Sequence, residues 1–324
     1  MKRLPTLLLY HPTMGREGYP VLARRLQPAL DYLKENGTLQ QTQLRLEQAI
    51  AVDEELLRQV HSVGHIAQVG FTTYNRAARL SAGAAVRAGV AVWQGEAANA
   101  FAFTGCAGHH ASRDSAWGFC YYNNEALLVR HLQSALGVER FLLVDTDPHF
   151  GDGTRDILGD DAGVCHLNFF ASYDEGARPA SAHQVDVPLP VNVGDRGFVE
   201  ALSRLAPALA ERSRPQMLVW NMGHDAHASD YGSFQLSLRA FPAMTKVLLK
   251  VAADYCGSRL VVLLSGGSEV FVARHAISSI VRLLARLPEL PADVEEQPQA
   301  ASASAEATAK MNVDAIISAL DLES

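Results

Sequence analysis

The chain has 324 residues, and its 48% hydrophobic content is enough to bury a large core in one α/β unit. Its 28 basic and 35 acidic residues include no dense basic run, so no direct binding of nucleic acid is expected, because phosphate binding needs clustered Lys and Arg. No stretch approaches the ~20 apolar residues that span a bilayer, and the four cysteines form no CxxC pair, so we expect a cytoplasmic protein without membrane contact.

Apolar runs of strand length alternate along the chain with segments of helical period. Near-continuous hydrophobicity is typical of parallel strands that are covered on both faces. The predicted strands are 6–10, 101–104, 140–145, 164–168, 216–221 and 259–265, and the predicted helices include 239–255 and 270–287. This alternation predicts a single-domain, three-layer α/β/α fold with a mostly parallel central sheet over residues 1–290.

The C-terminal part of the chain changes character. Residues 291–310 are rich in Ala, Ser, Glu and Pro without an apolar period, which predicts a flexible linker. Within residues 311–324 the apolar side chains take i, i+3, i+4, i+7 spacing, which predicts a short amphipathic helix. That helix could dock on the body or on another chain, and a frayed tail is the alternative. Association into a homo-oligomer stays open.

Polar clusters follow four of the predicted strands. In doubly wound sheets, ligands collect beyond the carboxyl ends of the strands. The four clusters are 108–110, 145–149, 221–225 and 265–268. If the sheet is parallel, they converge on one site.

A metal site is predicted from the chemistry of these clusters. A catalytic divalent ion needs about three protein ligands and one open position. Asp147 and His149 follow one strand, and Asp225 follows another. Two carboxylates and one imidazole suit zinc, iron(II) or cobalt. A DxH triplet alone is weak evidence, because most such triplets arise by chance or cap a helix.

The adjacent histidines His109 and His110 strengthen that prediction. Both follow Gly108 on a loop, where one imidazole can deprotonate a water while the other stays charged and polarises a carbonyl. Each needs a partner that fixes its tautomer, and Asp145 and Asp152 supply the right number of carboxylates. The alternative is a pair of structural histidines.

At this point the sequence resembles a known family. From about residue 11 to about residue 275 it is similar to the histone deacetylases, with their acetylpolyamine amidohydrolase and acetoin-utilisation relatives. The matching segments occur in family order and read VHS at 60–62, GHHA at 108–111, GFCxxNN at 118–124, DxDxHxGDGT at 145–154 and GHDAH at 223–227. Five ordered motifs make a chance match negligible.

The resemblance implies a fold of the arginase and deacetylase type and one zinc ion bound by Asp147, His149 and Asp225. It also implies a structural potassium ion that takes oxygens from the loop around Asp145 and His149. These ions would serve the hydrolysis of an acylated amine, such as an acyl-lysine or an acylpolyamine.

The resemblance further assigns roles to the paired histidines. His109 and His110 would be active-site residues, paired with Asp145 and Asp152 respectively. His110 would be the general base, and a metal-bound water would be the nucleophile in amide hydrolysis. Phe119 would line the acyl-lysine tunnel.

One departure from the family pattern affects the predicted oxyanion site. Gly118 and Gly267 are further substrate-binding candidates, but Ser268 stands where the family has a tyrosine that donates to the oxyanion. Ser268 could act through a bridging water, or Glu269 or a residue from elsewhere could substitute. Loss of one oxyanion donor typically costs on the order of 10²–10³ in rate.

Three functions therefore compete. The leading one is a zinc-dependent hydrolase of an N-acyl amide. The alternative is a catalytically weak acyl-ligand-binding protein on the same fold, because Ser268 replaces the tyrosine. A ureohydrolase of the arginase type is a third, but that class binds two manganese ions through a different Asp-rich pattern.

Overall fold

The computed structural model describes residues 4–172, 183–290, 296 and 302–322. These residues contain one eight-stranded sheet. Its strands are β1 (Thr6–Tyr10), β2 (Leu44–Gln48), β3 (Asn99–Ala102), β4 (Phe141–Asp145), β5 (Val164–Ser172), β6 (Gln184–Pro190), β7 (Met217–Met222) and β8 (Leu260–Leu264). The described strands pair only in parallel, in the order β2-β1-β3-β8-β7-β4-β5-β6.

Helices connect and flank the strands. They are α1 (Pro12–Glu17), α2 (Pro20–Ala23), α3 (Leu26–Glu35), α4 (Glu54–Val60), α5 (Val63–Gly70), α6 (Asn75–Trp93), α7 (Asn124–Leu136), α8 (Asp152–Leu158), α9 (Asp195–Ser213), α10 (Ala240–Tyr255), α11 (Val270–Leu284) and α12 (Ala303–Ala319). The helices form two groups. In one group, α7 contacts both α6 and α4; in the other, each helix contacts the next in the order α3, α11, α10, α9 and α12. The predicted α/β fold is confirmed.

The core lies between the sheet and these two helix groups. The central strands β4, β7 and β8 are fully buried, which explains their near-continuous apolar sequences. All six predicted strands are present, with β3 and β5 shifted or extended at their ends. The edge strands β2 and β6 were not predicted. The sequence of β6 contains Pro188 and Pro190, which an edge strand tolerates and a central strand does not.

The C-terminal helix is longer than predicted. It begins at Ala303, so residues 303–310, which composition assigned to the linker, are helical. Of the predicted linker, 291–295 and 297–301 lie outside the described residues, as do 323 and 324 of the predicted helix. α12 packs on α9 and β6, and Asn312 Nδ2 donates to Pro188 O at 2.8 Å. The helix therefore docks on the body of its own chain.

Candidate metal centre and active site

The four predicted clusters meet at one edge of the sheet. They follow β3, β8, β7 and β4, which are consecutive neighbours in the sheet order. Because all these strands are parallel, their carboxyl ends lie side by side and open into one cavity of about 180 Å³. Both histidines of the pair and all three candidate metal ligands line this cavity. The convergence expected from the sequence is thus present.

The candidate metal ligands are Asp147, His149 and Asp225. Each offers one ligand atom, and these atoms lie within 4.8 Å of one another. His149 Nδ1 is 2.9 Å from Asp147 Oδ1 and 3.3 Å from Asp225 Oδ2. Burial works to lower the pKa of His149, but the hydrogen bond with Asp147 and the nearby negative charge of Asp225 raise it to about 11. A divalent ion needs a neutral imidazole, so its binding would displace a proton from this residue.

Asp225 provides the structural test of whether a cation fits. Its side chain is fully buried, and neither carboxylate oxygen has a hydrogen bond of normal geometry from a described residue. Burial raises the pKa of Asp225 to about 7, and the nearby carboxylate of Asp147 adds to that shift. A buried carboxylate without a donor is costly unless it is paired or coordinates a metal. A divalent cation beside Asp225 meets this need, so the donor set fits the implied ion.

The loop after β8 holds the carboxylate of Asp147 in place. Ser265 Oγ and the backbone N–H of Gly266 donate to Asp147 Oδ2 at 3.1 and 2.9 Å. A Cβ atom on Gly266 would come within 2.3 Å of Asp225 Oδ2 and 2.4 Å of Asp147 Oδ2. Glycine is therefore required here, because any side chain would push the two carboxylates apart.

The paired histidines each have a carboxylate partner. His109 Nδ1 lies 2.8 Å from Asp145 Oδ2, and His110 Nδ1 lies 2.6 Å from Asp152 Oδ1. Their ring centroids are 4.0 Å apart, so both rings face the same cavity. A carboxylate that accepts from Nδ1–H leaves the lone pair of a neutral imidazole on Nε2. The pairing that the resemblance implied is the pairing that the structure contains.

Trp117 covers the outer side of His110. Its indole stacks on the imidazole at 3.7 Å between centroids, and Nε1 donates to Asp152 Oδ2 at 2.8 Å. Asp152 therefore accepts from both rings at once. Burial and the neighbouring His109 lower the pKa of His110 to about 4, although Asp152 works in the opposite direction. A neutral His110 at physiological pH can accept a proton.

Backbone conformation at Gly118 and Phe119 shapes the wall beside this histidine. Gly118 has φ +57, and a Cβ atom there would lie 2.4 Å from His110 Cδ2. Phe119 also has a positive φ, 67°, which is rare for a bulky residue. Stacking on Tyr19 at 4.3 Å between centroids supports this conformation. Strain of this kind concentrates at functional sites, and here it directs an aromatic ring into the cavity.

Comparison with known proteins decides the family. The family model for the histone deacetylase domain matches residues 69–284, which is more than half of the chain. The chain belongs to the histone deacetylase family. Membership makes it a deacetylase-like hydrolase, and the predicted family is confirmed.

Relatives of this histone deacetylase family member include a bacterial and an archaeal protein. A histone deacetylase-like amidohydrolase of Pseudomonas aeruginosa is 34% identical over 298 residues, covering 83% of this chain and 77% of that protein. A probable deacetylase of Archaeoglobus fulgidus is 30% identical over 278 residues, covering 78% and 77%. The crystal structure of the HDA15 HD domain covers 98% of this chain and 97% of its own, with a TM-score of 0.84 at 22% identity, and so shares the fold.

Ser268, where the family pattern has a tyrosine, does not point into the cavity. Its Oγ donates to Asp230 Oδ1 at 2.8 Å, and Ser268 lies outside the described residues that line the cavity. Gly267, predicted to bind substrate, also lies outside that lining, and Gly266 forms the wall instead. Glu269 is near Arg24 on the surface, with N and O atoms 3.9 Å apart.

Three residues at the site were missed by sequence reasoning. Trp117 and Tyr231 line the cavity. The only sequence signal for this is that Trp117 precedes the motif at 118–124 and Tyr231 follows the motif at 223–227. Arg25 is fully buried, and its guanidinium donates to the carbonyl oxygens of Gly266 and Gly267 at 2.5 and 2.6 Å. No local motif marks Arg25, because its partners lie about 240 residues away.

Proposed function

We propose that this chain is a zinc-dependent hydrolase of N-acyl amides, with Asp147, His149 and Asp225 as the metal ligands. The observation that carries the proposal is that this triad, with its two buried carboxylates, lines the same cavity as two histidines with carboxylate partners. When bound, zinc would polarise the acyl carbonyl and make water more acidic. The loop of residues 145–149 is also the proposed position of a structural potassium ion.

The histidines would divide the proton chemistry between them. His110 is the proposed general base, because Asp152 accepts from Nδ1–H and leaves Nε2 to take the proton of the attacking water. His110 would then return that proton to the leaving amine. His109, hydrogen-bonded to the fully buried Asp145, would donate to the carbonyl oxygen and polarise it.

The cavity has a volume of about 180 Å³ and is lined mainly by apolar surface. Aromatic rings of Trp117, Phe119 and Tyr231 line it, so its walls suit an apolar acyl chain and the methylene stem of an amine. We therefore propose acyl-lysine, acylpolyamine or a related small acyl amine as substrate.

A panel assay tests this function. Zinc-loaded protein is incubated with acetyl and longer acyl forms of a lysine peptide, a polyamine and a small amine, and the free amine is measured by mass spectrometry. We expect cleavage that a chelator and a hydroxamate abolish and that Asp225→Asn lacks. Zinc-loaded protein that binds the hydroxamate but cleaves no amide would be the acyl-ligand-binding protein instead.

A further inference from the structure

We propose that Tyr231 is the catalytic hydrogen-bond donor to the oxyanion, a role that rests on the proposed amide hydrolysis. Attack on an amide carbonyl places negative charge on its oxygen, and a preorganised donor aimed at that oxygen is often the largest catalytic contribution. Among the described residues that line the cavity, Tyr231 is the one whose side chain carries a hydroxyl.

Tyr231 lies next to the candidate metal ligands. Its ring centroid lies 5.7 Å from that of His149 and 6.1 Å from that of Phe119, which places the phenol between a candidate metal ligand and the aromatic wall. Part of the ring reaches solvent, since 41% of the residue is exposed, but the hydroxyl is directed inward to the glycine loop after β8. Tyr231 thus spans the cavity from its rim to its base.

The hydroxyl of Tyr231 has a proton to give. It accepts from the backbone N–H of Gly267 at 2.8 Å, and within the described residues this is the hydrogen bond that the hydroxyl makes. A phenol that accepts one hydrogen bond still carries its O–H donor. Acceptance from Gly267 also holds the oxygen in place and leaves the O–H free to donate. This is the arrangement that an oxyanion donor requires.

Ser268 is committed elsewhere. Its Oγ donates to Asp230, and its backbone N–H donates to the same carboxylate at 2.9 and 3.0 Å. The N–H of Glu269 donates to Asp230 as well, at 2.9 Å. These bonds tie the start of α11 to the residue that precedes Tyr231. Ser268 is therefore a positioning residue, which acts by holding the tyrosine loop against the glycine loop.

The hydrogen bond adds no new atom transfer to the proposed reaction. As the water oxygen bonds to the carbonyl carbon, the C=O electron pair moves to the oxygen, where the Tyr231 O–H donates to it. The water proton goes to His110 Nε2. When the C–N bond breaks, that proton goes to the amine nitrogen and the C=O bond re-forms. Tyr231 keeps its proton throughout.

The test compares Tyr231→Phe with the control Tyr255→Phe, which deletes the same hydroxyl elsewhere. Tyr255 is the last residue of α10 and precedes β8, so it lies near the amino ends of the strands, away from the cavity at their carboxyl ends. Zinc content, melting temperature, kcat and KM are measured for each variant on an acyl amide that the wild type cleaves. Affinity is also measured for a trifluoromethyl ketone analogue, whose hydrate resembles the tetrahedral state, and for a product-like ground-state ligand. The ketone measurement does not depend on turnover.

If Tyr231 is the donor, Tyr231→Phe keeps about one zinc per chain and loses on the order of 10²–10³ in kcat with little change in KM. Affinity falls for the ketone and not for the ground-state ligand, since only the hydrate carries the developing charge. A distorted loop would weaken both ligands alike. Tyr255→Phe matches the wild type.

Two results would overturn the inference without touching the proposed function. One is a Tyr231→Phe variant that cleaves the amide within about threefold of the wild type, a change too small for a lost oxyanion donor. The other is equal loss of affinity for the ketone and the ground-state ligand. If the wild type cleaves no amide, the proposed function fails, and the ketone comparison still decides the role of Tyr231. A wild type that neither cleaves an amide nor binds the ketone overturns both.

Discussion

Replacement of Asp152 by Asn tests how the structure sets the tautomer of His110. Asp152 accepts two hydrogen bonds, from His110 Nδ1 at 2.6 Å and from Trp117 Nε1 at 2.8 Å. An asparagine side chain has one acceptor oxygen and one donor NH₂ group, so its oxygen can replace only one of the two carboxylate oxygens that accept from the rings. If the oxygen stays with the indole, the NH₂ group faces Nδ1 and drives the histidine proton to Nε2. The imidazole could then accept a proton from water only after its own proton has returned to Nδ1.

The structure also sets the size of this effect. Loss of a hydrogen bond to a charged group costs about 1.5–3 kcal/mol, which corresponds to a ~10- to 150-fold fall in kcat. Because 43% of the Asp152 side chain is exposed, water replaces part of the lost contact, and we expect the lower end, about 10- to 30-fold. The carboxylate raises the pKa of His110, so its removal should move the acidic limb of kcat/KM to lower pH.

The assay is a pH profile of kcat and kcat/KM for Asp152→Asn with Asp156→Asn as the matched control. Asp156 is exposed on the same helix α8, one turn after Asp152. Its replacement by Asn removes the same charge. The control should behave like the wild type. An Asp152→Asn profile that coincides with the wild type in rate and in its acidic limb would refute the role of this carboxylate.

Three further predictions concern other parts of the molecule. Ser268→Tyr should give no gain of amide hydrolysis, because the cavity already holds a tyrosine hydroxyl, and a tenfold increase in kcat would contradict this. Gly118→Ala should lower kcat strongly, because its Cβ would lie 2.4 Å from an imidazole carbon, whereas Gly137→Ala, with a similar φ and no atom within 4 Å, should keep wild-type kcat. Ile316 lies on the buried face of α12, so Ile316→Ala should lower the unfolding free energy by about 2–5 kcal/mol in urea titrations without changing kcat at low denaturant. The exposed control on the same helix, Met311→Ala, should change neither quantity.

The sheet could be predicted where its strands are central and uniformly apolar. The edge strands were missed because their signals are mixed. β2 reads LRLEQ, with charged residues between its leucines, and β6 carries two prolines. The start of α12 was missed for another reason. Ala305 and Ala309 continue the buried stripe of Val313 and Ile316, but alanine carries little apolar signal and was taken for linker composition.

The candidate site shows a similar division. The candidate metal triad and the histidine pair lie in short motifs just after strands, so the sequence alone predicted that they converge on one cavity. Contacts that depend on how loops fold could not be predicted in the same way. Ser268 was considered as an oxyanion donor, whereas the structure holds its hydroxyl on Asp230 and brings Tyr231 to the cavity. The conformations of these two loops decide which hydroxyl faces the cavity.

The central claim is that Asp147, His149 and Asp225 hold a catalytic zinc ion, and a metal titration tests it most directly. Wild type, Asp225→Asn and the exposed control Asp156→Asn are stripped of metal, titrated with zinc and analysed by mass spectrometry for metal content after dialysis. We predict about one tightly bound zinc in the wild type and the control and at least a hundredfold weaker binding in Asp225→Asn, with proton release on binding. Equal zinc affinity in all three proteins, or full amide hydrolysis by stripped protein in the presence of chelator, would contradict the claim.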